Sequence, residues 1–324
     1  AARYMLHLEA AYEKIWAHQL GEDSKKQRRK LVPRLQAEAD AAFAAREWHS
    51  FLAAAHRLVA LDAASSRLLM SMGFASLQLE EPKKARGFLE MALEKAQEER
   101  PEILQLLAEV QKLAGDHAAA LASAEEAQAR TEKTRETRPF RHRLALAKAH
   151  AAYMLARADE ASRAYREAAD LADDLHARTE AYSSHLLALH NTAIGQEELF
   201  AAHRGYEKLL AGIEPLAERA WKNHEKIRIG YLSPDFRRHV MVSFIYGLFV
   251  RFDRARFEVY AYSLAEEDGF TEALKEHATA WRNVAGLSFA EIAERIRADE
   301  IDILVDLAGH SAGGALPVLA YRPA

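Results

Sequence analysis

The sequence predicts an α-helical solenoid followed by an α/β lobe built on a parallel sheet. Residues 1–225 contain four Ile, whereas residues 226–324 contain seven, and Gly also becomes denser in the later region. Small or apolar residues recur at a spacing near 34 in the first region. In the second, β-branched runs, which favour strands, alternate with amphipathic helical segments. The first region is therefore predicted to be α and the second α/β.

Composition narrows the class of protein. The chain has 324 residues, of which 50% are hydrophobic and 28% charged, with a formal net charge of −4. These values are typical of a globular protein of about two domains. The charge lacks the strong basic excess that binding to nucleic-acid phosphates normally requires, so no nucleic-acid partner is predicted.

Cofactor and metal chemistry have few candidates in the sequence. The chain has no Cys, which excludes disulfides and thiolate zinc sites. The His residues show no paired ligand spacing, and their densest cluster, 176–190, lies on predicted helix. A P-loop and a dinucleotide-binding fingerprint are both missing, because SPDF stands where the glycine-rich turn after the first strand would be. We predict no metal and no cofactor, and a hydride-transfer enzyme is disfavoured.

The longest nearly unbroken apolar run, residues 240–250, is shorter than the roughly 18 residues that indicate a membrane span. No signal peptide opens the chain. The sequence therefore predicts a cytoplasmic protein without a membrane partner.

Three landmark positions repeat together along the first region. The second landmark lies twelve residues after the first, and the third lies seven further on. Each series steps by 34, 35 and 41 residues. The first series is Ala39, Gly73, Ala108 and Ala149, the second is Phe51, Ala85, Ala120 and Ala161, and the third is Leu58, Ala92, Ala127 and Ala168. This period, with small residues where paired helices approach closely, resembles the tetratricopeptide repeat.

The repeats are degenerate, since the signature Trp and the closing Pro of the motif are missing. The step of 41 indicates a longer loop around TEKTRETRPFRH, where Pro139 forbids a continuous helix. A simple bundle is the alternative, but landmarks stepping together favour a solenoid, whose concave surface can hold an extended polypeptide. The basic clusters KKQRRK and KTRETRPFRHR either steer an acidic partner or are solvated loops. We assign residues 1–184 to repeats and 185–225 to a helical connector.

Residues 226–324 read as strands joined by helical crossovers. Strands are predicted at 226–232, 257–263, 281–285 and 301–307, and helices at 240–252, 270–280 and 288–300, with Ser288 as an N-cap. Crossovers of this length predict parallel strands with right-handed connections.

Two segments follow strands at the edge where parallel sheets bind ligands, SPDFRRH after the first strand and DLAGHSAGG after the fourth. A His at such an edge can act as a general base, because its ordinary pKa is near 6.5. The alternatives are structural: an Asp that caps a turn and a His that only bonds backbone. If the two segments are neighbours, one cleft is lined by Asp235, His239, Asp306, His310, Gly313 and Gly314.

Longer motifs add a family resemblance. KIRIGYLSPDFRRHVMVSF, FEVYAYS and IDILVDLAGHSAGGALPVLAYRPA resemble the first catalytic lobe of the O-linked N-acetylglucosamine transferase and SPINDLY family. HLLALHNTAIGQEELFAAHRGY, at 185–206, is similar to the connector that joins the repeats of that family to the lobe. The resemblance implies two Rossmann-like lobes and metal-independent, inverting transfer of a sugar from a nucleotide diphosphate to a protein Ser or Thr.

The resemblance also implies roles for individual residues. The His of SPDFRRH, His239, corresponds to a residue considered catalytic in the family, either as a base or in positioning the acceptor. The segment GHSAGG matches a GH(S/T) motif, which implies a part in shaping the sugar or acceptor pocket. The substrate-binding candidates are Asp235, His310, Ser311, Gly313 and Gly314.

The chain departs from the family pattern in two places. Val240 follows the motif His where many relatives have Pro, a change that alters only the entry to the helix. The sequence given stops at YRPA, where the family continues into a second lobe that supplies most nucleotide contacts. From the resemblance we expect a fragment of a protein glycosyltransferase, inactive alone, with acceptor protein held along the repeats. The alternative is a non-catalytic scaffold for protein–protein interaction.

Overall fold

The computed structural model describes residue 12 and residues 22–218 and 224–324, with side chains from residue 28 in the first of these ranges. The start of the predicted repeats, part of KKQRRK and residues 219–223 of the predicted connector lie outside what is described. The described residues form two compact units, one up to Ala164 and one from Tyr165. The predicted domain boundaries at 184 and 225 stay predictions.

Helices follow one another along the first part of the chain. In chain order they are α1 (Glu22–Ala44), α2 (Trp48–Ala60), α3 (Ser66–Gln78), α4 (Pro82–Lys95), α5 (Arg100–Leu113), α6 (His117–Arg130), α7 (Arg138–Met154) and α8 (Ala158–Leu171). The division between the units falls within α8. Pro139 begins α7 after an irregular stretch at 131–137, which confirms the predicted loop in the longest repeat.

All twelve predicted landmark residues are buried. From α1 to α7, each helix packs on the next, and α5 also contacts both α3 and α7. Contacts between helices two apart stack the first helices of successive pairs, as a repeat array requires. The pattern confirms a solenoid of paired helices.

Gly73 shows why the landmarks must be small. A Cβ placed on Gly73 of α3 would lie 2.6 Å from Leu89 Cγ of α4, well inside van der Waals contact. The two helices therefore approach closely enough to exclude any side chain at this point. Leu69 and Leu89, both fully buried, fill the space on either side.

The second unit contains two more helices, a sheet and its crossovers. The helices are α9 (Leu175–Leu189) and α10 (Gln196–Leu209). The sheet region comprises β1 (Ile227–Ser233), α11 (Val242–Val250), β2 (Phe257–Ser263), α12 (Gly269–Lys275), β3 (Ala280–Asn283), α13 (Phe289–Ala298), β4 (Ile303–Asp306) and a 3₁₀ turn (Leu316–Tyr321).

The four strands are parallel in the order β3-β2-β1-β4, which confirms the predicted α/β lobe. Alternate residues of β2 point to opposite faces, as strand geometry requires. Tyr262 packs with Ile292 and Ile296 of α13 on one face, whereas Val259 and Ala261 pack under α11 and α12 on the other. The sheet is thus covered on both faces, in keeping with a Rossmann-like layer.

One predicted boundary was wrong by several residues. The helix predicted at 270–280 ends at Lys275, whereas the strand predicted at 281–285 runs from Ala280 to Asn283, a shift of one or two residues. Thr279 pairs with β2 and does not continue the helix, because its main-chain N–H donates to Val259 O at 2.7 Å and its hydroxyl accepts from Val259 N at 2.9 Å. Within the described ranges, no helix is both long and apolar enough to cross a membrane.

A buried polar network ties β2 and β3 to the end of α13. The hydroxyl of Tyr262, a residue with no exposed surface, donates to Asp299 Oδ2 at 2.9 Å. The Arg282 guanidinium donates to both oxygens of the same carboxylate, at 3.0 and 2.7 Å. Burial raises the pKa of Tyr262, and the neighbouring Asp299 carboxylate raises it further.

Replacing Tyr262 by Phe is expected to lower the free energy of unfolding by about 1.5 kcal/mol, because a hydrogen bond to a charged acceptor is lost while the ring stays packed. Urea unfolding followed by circular dichroism measures this. The matched control is Tyr246→Phe, at a side chain 42% exposed. Equal stability of the two variants would contradict a contribution from the Tyr262 hydroxyl.

Candidate active site

The two segments predicted to carry the site meet at the carboxyl edge of the sheet. β1 and β4 are adjacent parallel strands, with Leu232 opposite Asp306. The main-chain N–H of Leu307 donates to Leu232 O at 3.0 Å. A Cβ on Gly313 would lie 3.4 Å from Pro234 Cβ, so the glycine loop rests on the SPDF turn. The segments are neighbours, as the sequence analysis required for a shared site.

The SPDFRRH segment is anchored from both sides. Phe236 is fully buried and packs edge-on against Phe249 of α11, with ring centroids 5.4 Å apart. Beyond it, the Arg238 N–H donates to Asp268 Oδ2 at 2.7 Å, and the Thr271 hydroxyl donates to Phe236 O at 2.8 Å. Accepting the Arg238 N–H lowers the pKa of Asp268. The cap of α12 therefore fixes the backbone just before His239.

Asp235 and His239 face each other across this turn. The Oδ1 atom of Asp235 lies 3.4 Å from Nδ1 of His239, and the main-chain N–H of Met241 donates to the same Nδ1 at 3.4 Å. The Asp235 side chain is 14% exposed, whereas that of His239 is 40% exposed. Nε2 of His239 makes no hydrogen bond within the part of the chain that is described. The Asp235 carboxylate thus lies where it can stabilise positive charge on the imidazole.

The surroundings of His239 form an open groove. Its lining side chains include Tyr246 of α11 and Phe270 of α12, and the Arg238 guanidinium lies 5.7 Å from the Phe270 ring centroid. Val240 is 69% exposed at the same groove. The groove offers apolar walls and one cation beside the imidazole.

His310 lies in a different environment, against α9 and α10. Its Nδ1 is 3.0 Å from Ser183 Oγ of α9. Its ring is edge-on to Tyr206 of α10 at 4.9 Å and tilted on His203 at 5.2 Å, between ring centroids. Burial lowers the pKa of His310, and the neighbouring His203 and His190 lower it further. These surroundings favour the neutral form of the imidazole.

The glycine loop has a fixed shape. Gly309 N–H donates to Asp306 Oδ2 at 2.5 Å, and Gly313 has a φ of 74°, which side chains adopt only with strain. At Gly314 a Cβ would lie 3.1 Å from three atoms of the loop itself. Ser311 is exposed at the tip. Glycine is therefore required at both predicted positions, while Ser311 is free to meet a ligand.

Asp306 ends β4 and has an unusual environment. Burial raises the pKa of Asp306, whereas accepting the N–H groups of Gly309 and Ala308 lowers it. Its Oδ1 is buried without a hydrogen-bond partner among the described residues. The sequence placed Asp306 at this edge without giving it a role, and the structure makes it the support of the glycine loop.

The predicted residues fall into two groups. Asp235 and His239 form one, and His310 with Ser311, Gly313 and Gly314 forms the other. His239 and His310 line separate cavities. Sequence reasoning missed Ser183, Tyr206 and His203 as neighbours of His310, since these residues lie more than a hundred positions away along the chain. The described residues contain no group of three or more His, Cys, Asp or Glu able to hold a metal ion.

Comparison with known proteins shows which family this lobe resembles. Residues 214–324 match the family model described as glycosyl transferase family 41. This segment, about a third of the chain, is similar to glycosyl transferase family 41. The family 41 segment contains Asp235, His239, His310 and the glycine loop, whereas α9 and α10 precede it.

Curated relatives and a solved structure are similar to parts of this chain. A probable UDP-N-acetylglucosamine–peptide N-acetylglucosaminyltransferase SPINDLY of Arabidopsis thaliana is 33% identical over 137 residues, which are 40% of this chain and 15% of that protein. A UDP-N-acetylglucosamine–peptide N-acetylglucosaminyltransferase of Caenorhabditis elegans is 31% identical over 106 residues, 32% of this chain and 9% of that protein. The chain thus spans less than a fifth of the length of these relatives.

A structure of a mutant O-GlcNAc transferase from Thermobaculum terrenum superimposes with a TM-score of 0.60 and 25% sequence identity. The match covers 81% of this chain and 49% of that one, so it extends beyond the family 41 segment into the helical part.

Proposed function

We propose that this chain is the repeat region and first catalytic lobe of an inverting protein O-glycosyltransferase. It would transfer an N-acetylglucosamine-like sugar from a nucleotide diphosphate donor to Ser or Thr of a protein. The match of residues 214–324 to family 41 and the names of the relatives support this proposal. The observation that carries it is the pair of Asp235 and His239 at the carboxyl edge of β1.

The geometry of that pair suits the proton transfer that the reaction requires. Oδ1 of Asp235 lies 3.4 Å from Nδ1 of His239, close enough to stabilise the imidazolium that forms when the ring accepts the proton of the acceptor hydroxyl. The hydroxyl oxygen forms a bond to the anomeric carbon as the bond from that carbon to the diphosphate oxygen breaks. The diphosphate leaves with the electron pair, and a single displacement inverts the configuration.

Different parts of the protein are proposed to bind different substrates. The exposed Ser311 and the rigid glycine loop are proposed to shape the sugar or acceptor pocket together with His310. The repeats are proposed to hold acceptor protein along the solenoid. The family resemblance assigns most nucleotide contacts to a second lobe, so no diphosphate site is proposed on this chain. We propose a cytoplasmic location, which cell fractionation would test.

A transfer assay tests the proposed function. The complete protein that carries this chain is incubated with protein acceptors and a panel of labelled nucleotide sugars that includes UDP-N-acetylglucosamine. The expected result is label on Ser or Thr that β-elimination releases. The control is free labelled sugar, which carries no nucleotide leaving group and should give no label on the protein. If the protein neither transfers sugar from any nucleotide sugar nor hydrolyses one, the proposal is overturned and the scaffold alternative remains.

A further inference from the structure

His310 is held by two helices that precede the family 41 segment. Ser183 of α9, 8% exposed, places Oγ 3.0 Å from Nδ1 of His310. Tyr206 of α10, 6% exposed, presents its ring edge-on to the imidazole. The Ser183 contact joins residues 127 positions apart within one compact unit. Side chains of two different helices therefore determine where this ring lies.

The two helices are themselves locked together, so their side chains form a fixed frame. The Tyr182 hydroxyl of α9 donates to Ala202 O of α10 at 3.0 Å. Gly205 lies against the same hydroxyl, where a Cβ would collide with it. Ser183 is the next residue after Tyr182, and Tyr206 is the next after Gly205. The contacts that hold the helices thus also hold the neighbours of His310.

Hydrogen bonding in this frame favours a single state of the imidazole. Burial raises the pKa of the Tyr206 phenol, and the neighbouring Ser183 and Thr179 hydroxyls lower it. The Thr179 hydroxyl is used within its own helix, where it donates to Leu175 O at 2.8 Å and lies 3.0 Å from His176 O. The Ser183 hydroxyl, 3.0 Å from Nδ1 of His310, is thus the group that can donate to this nitrogen or accept its hydrogen. A hydrogen bond at one ring nitrogen determines which of the two carries the proton.

Space alone does not hold the ring. The cavity between α9 and the glycine loop has a volume of about 20 Å³, enough for about one water molecule, and is lined by Ser183, Tyr206 and His310 among others. On its other side His310 borders a wider pocket that Leu316 and Leu319 also line. The contact with Ser183 is therefore the interaction that can fix the orientation of the imidazole.

We propose that Ser183 is a positioning residue, whose hydroxyl holds the imidazole of His310 in one neutral tautomer and one orientation beside the glycine loop. The inference rests on the proposed function for its catalytic consequence, because His310 is assigned to the sugar or acceptor pocket of that reaction. The contact between Ser183 and His310 is observed in the structure and does not depend on the proposed function. Ser183 acts through His310 and touches no substrate itself.

Nitrogen NMR of the complete protein, labelled with ¹⁵N-histidine, measures the tautomer directly, and His310→Gln assigns the signal. The wild type is expected to show His310 as one neutral tautomer at pH 7.5. Ser183→Ala is expected to show exchange between both tautomers. The matched control is Ser184→Ala on the same helix, whose hydroxyl donates only to its own helix, at Glu180 O, 3.1 Å away. A tautomer unchanged in Ser183→Ala would overturn the proposal.

Kinetics supply the second readout. Ser183→Ala is expected to lower kcat by about tenfold, since small displacements of a site residue act on the transition state. Ser184→Ala should keep the wild-type value, and thermal unfolding of all three proteins checks that they are folded. A changed tautomer with an unchanged kcat would refute the positioning role. If the wild type transfers no sugar, the proposed function fails while the NMR comparison still decides whether Ser183 fixes His310.

Discussion

Replacing His239 by Ala is expected to lower kcat for sugar transfer by about 10²- to 10⁴-fold, the usual contribution of a positioned general base. The imidazole is 40% exposed, with Asp235 behind Nδ1 and no partner for Nε2 in the described structure. Its loss leaves no group in that place to take the proton of the acceptor hydroxyl. The measurement is steady-state transfer by the complete protein, at saturating acceptor and donor.

The matched control for this prediction is His49→Ala, an exposed histidine of α2 in the repeats. It should keep wild-type kcat, and both variants should unfold at the same temperature as the wild type. A His239→Ala protein with full kcat would show that the residue is dispensable, and it would remove the observation that carries the proposed function.

Replacing Leu69 by Ala is expected to lower the free energy of unfolding by about 2–5 kcal/mol, because a buried Leu leaves a cavity that its neighbours only partly fill. Leu69 has no exposed surface and lies in the repeat core beside the close approach of α3 and α4 at Gly73. Since each pair of helices is stabilised mainly by its neighbours, the loss should spread along the array. Urea unfolding followed by helical circular dichroism measures it.

Leu113→Ala makes the same chemical change at the end of α5, where the side chain is 61% exposed. A surface substitution of this kind is expected to alter stability by no more than about 0.5 kcal/mol. Equal losses from the two variants would mean that burial in the solenoid does not decide the outcome.

The architecture could be predicted because its signals are local or periodic. Landmarks such as Ala39 and Ala85 recur at positions where helices touch, and all of them are buried. The strands carry β-branched runs, and parallel pairing follows from the crossovers. The end of α12 could not be predicted, because Thr279 forms hydrogen bonds with β2 and no local sequence pattern encodes that pairing.

The candidate site was only partly accessible to sequence reasoning. Strand ends identified Asp235, His239 and His310 by position, and β1–β4 pairing brought their segments together. Ser183 and Tyr206 could not be found in this way, because their place beside His310 depends on how α9 and α10 pack within the unit. Helix periodicity shows which face is buried but not which loop it is buried against.

The place of β1 in the middle of the sheet has a consequence for the order of assembly. Its Arg228 pairs with Glu258 of β2 across 30 residues of chain, but its contact with Asp302 beside β4 spans 74. Closing the longer loop costs about 0.8 kcal/mol more in chain entropy. We therefore expect β1 to pair with β2 before β4 joins the sheet and brings the glycine loop to the SPDF turn.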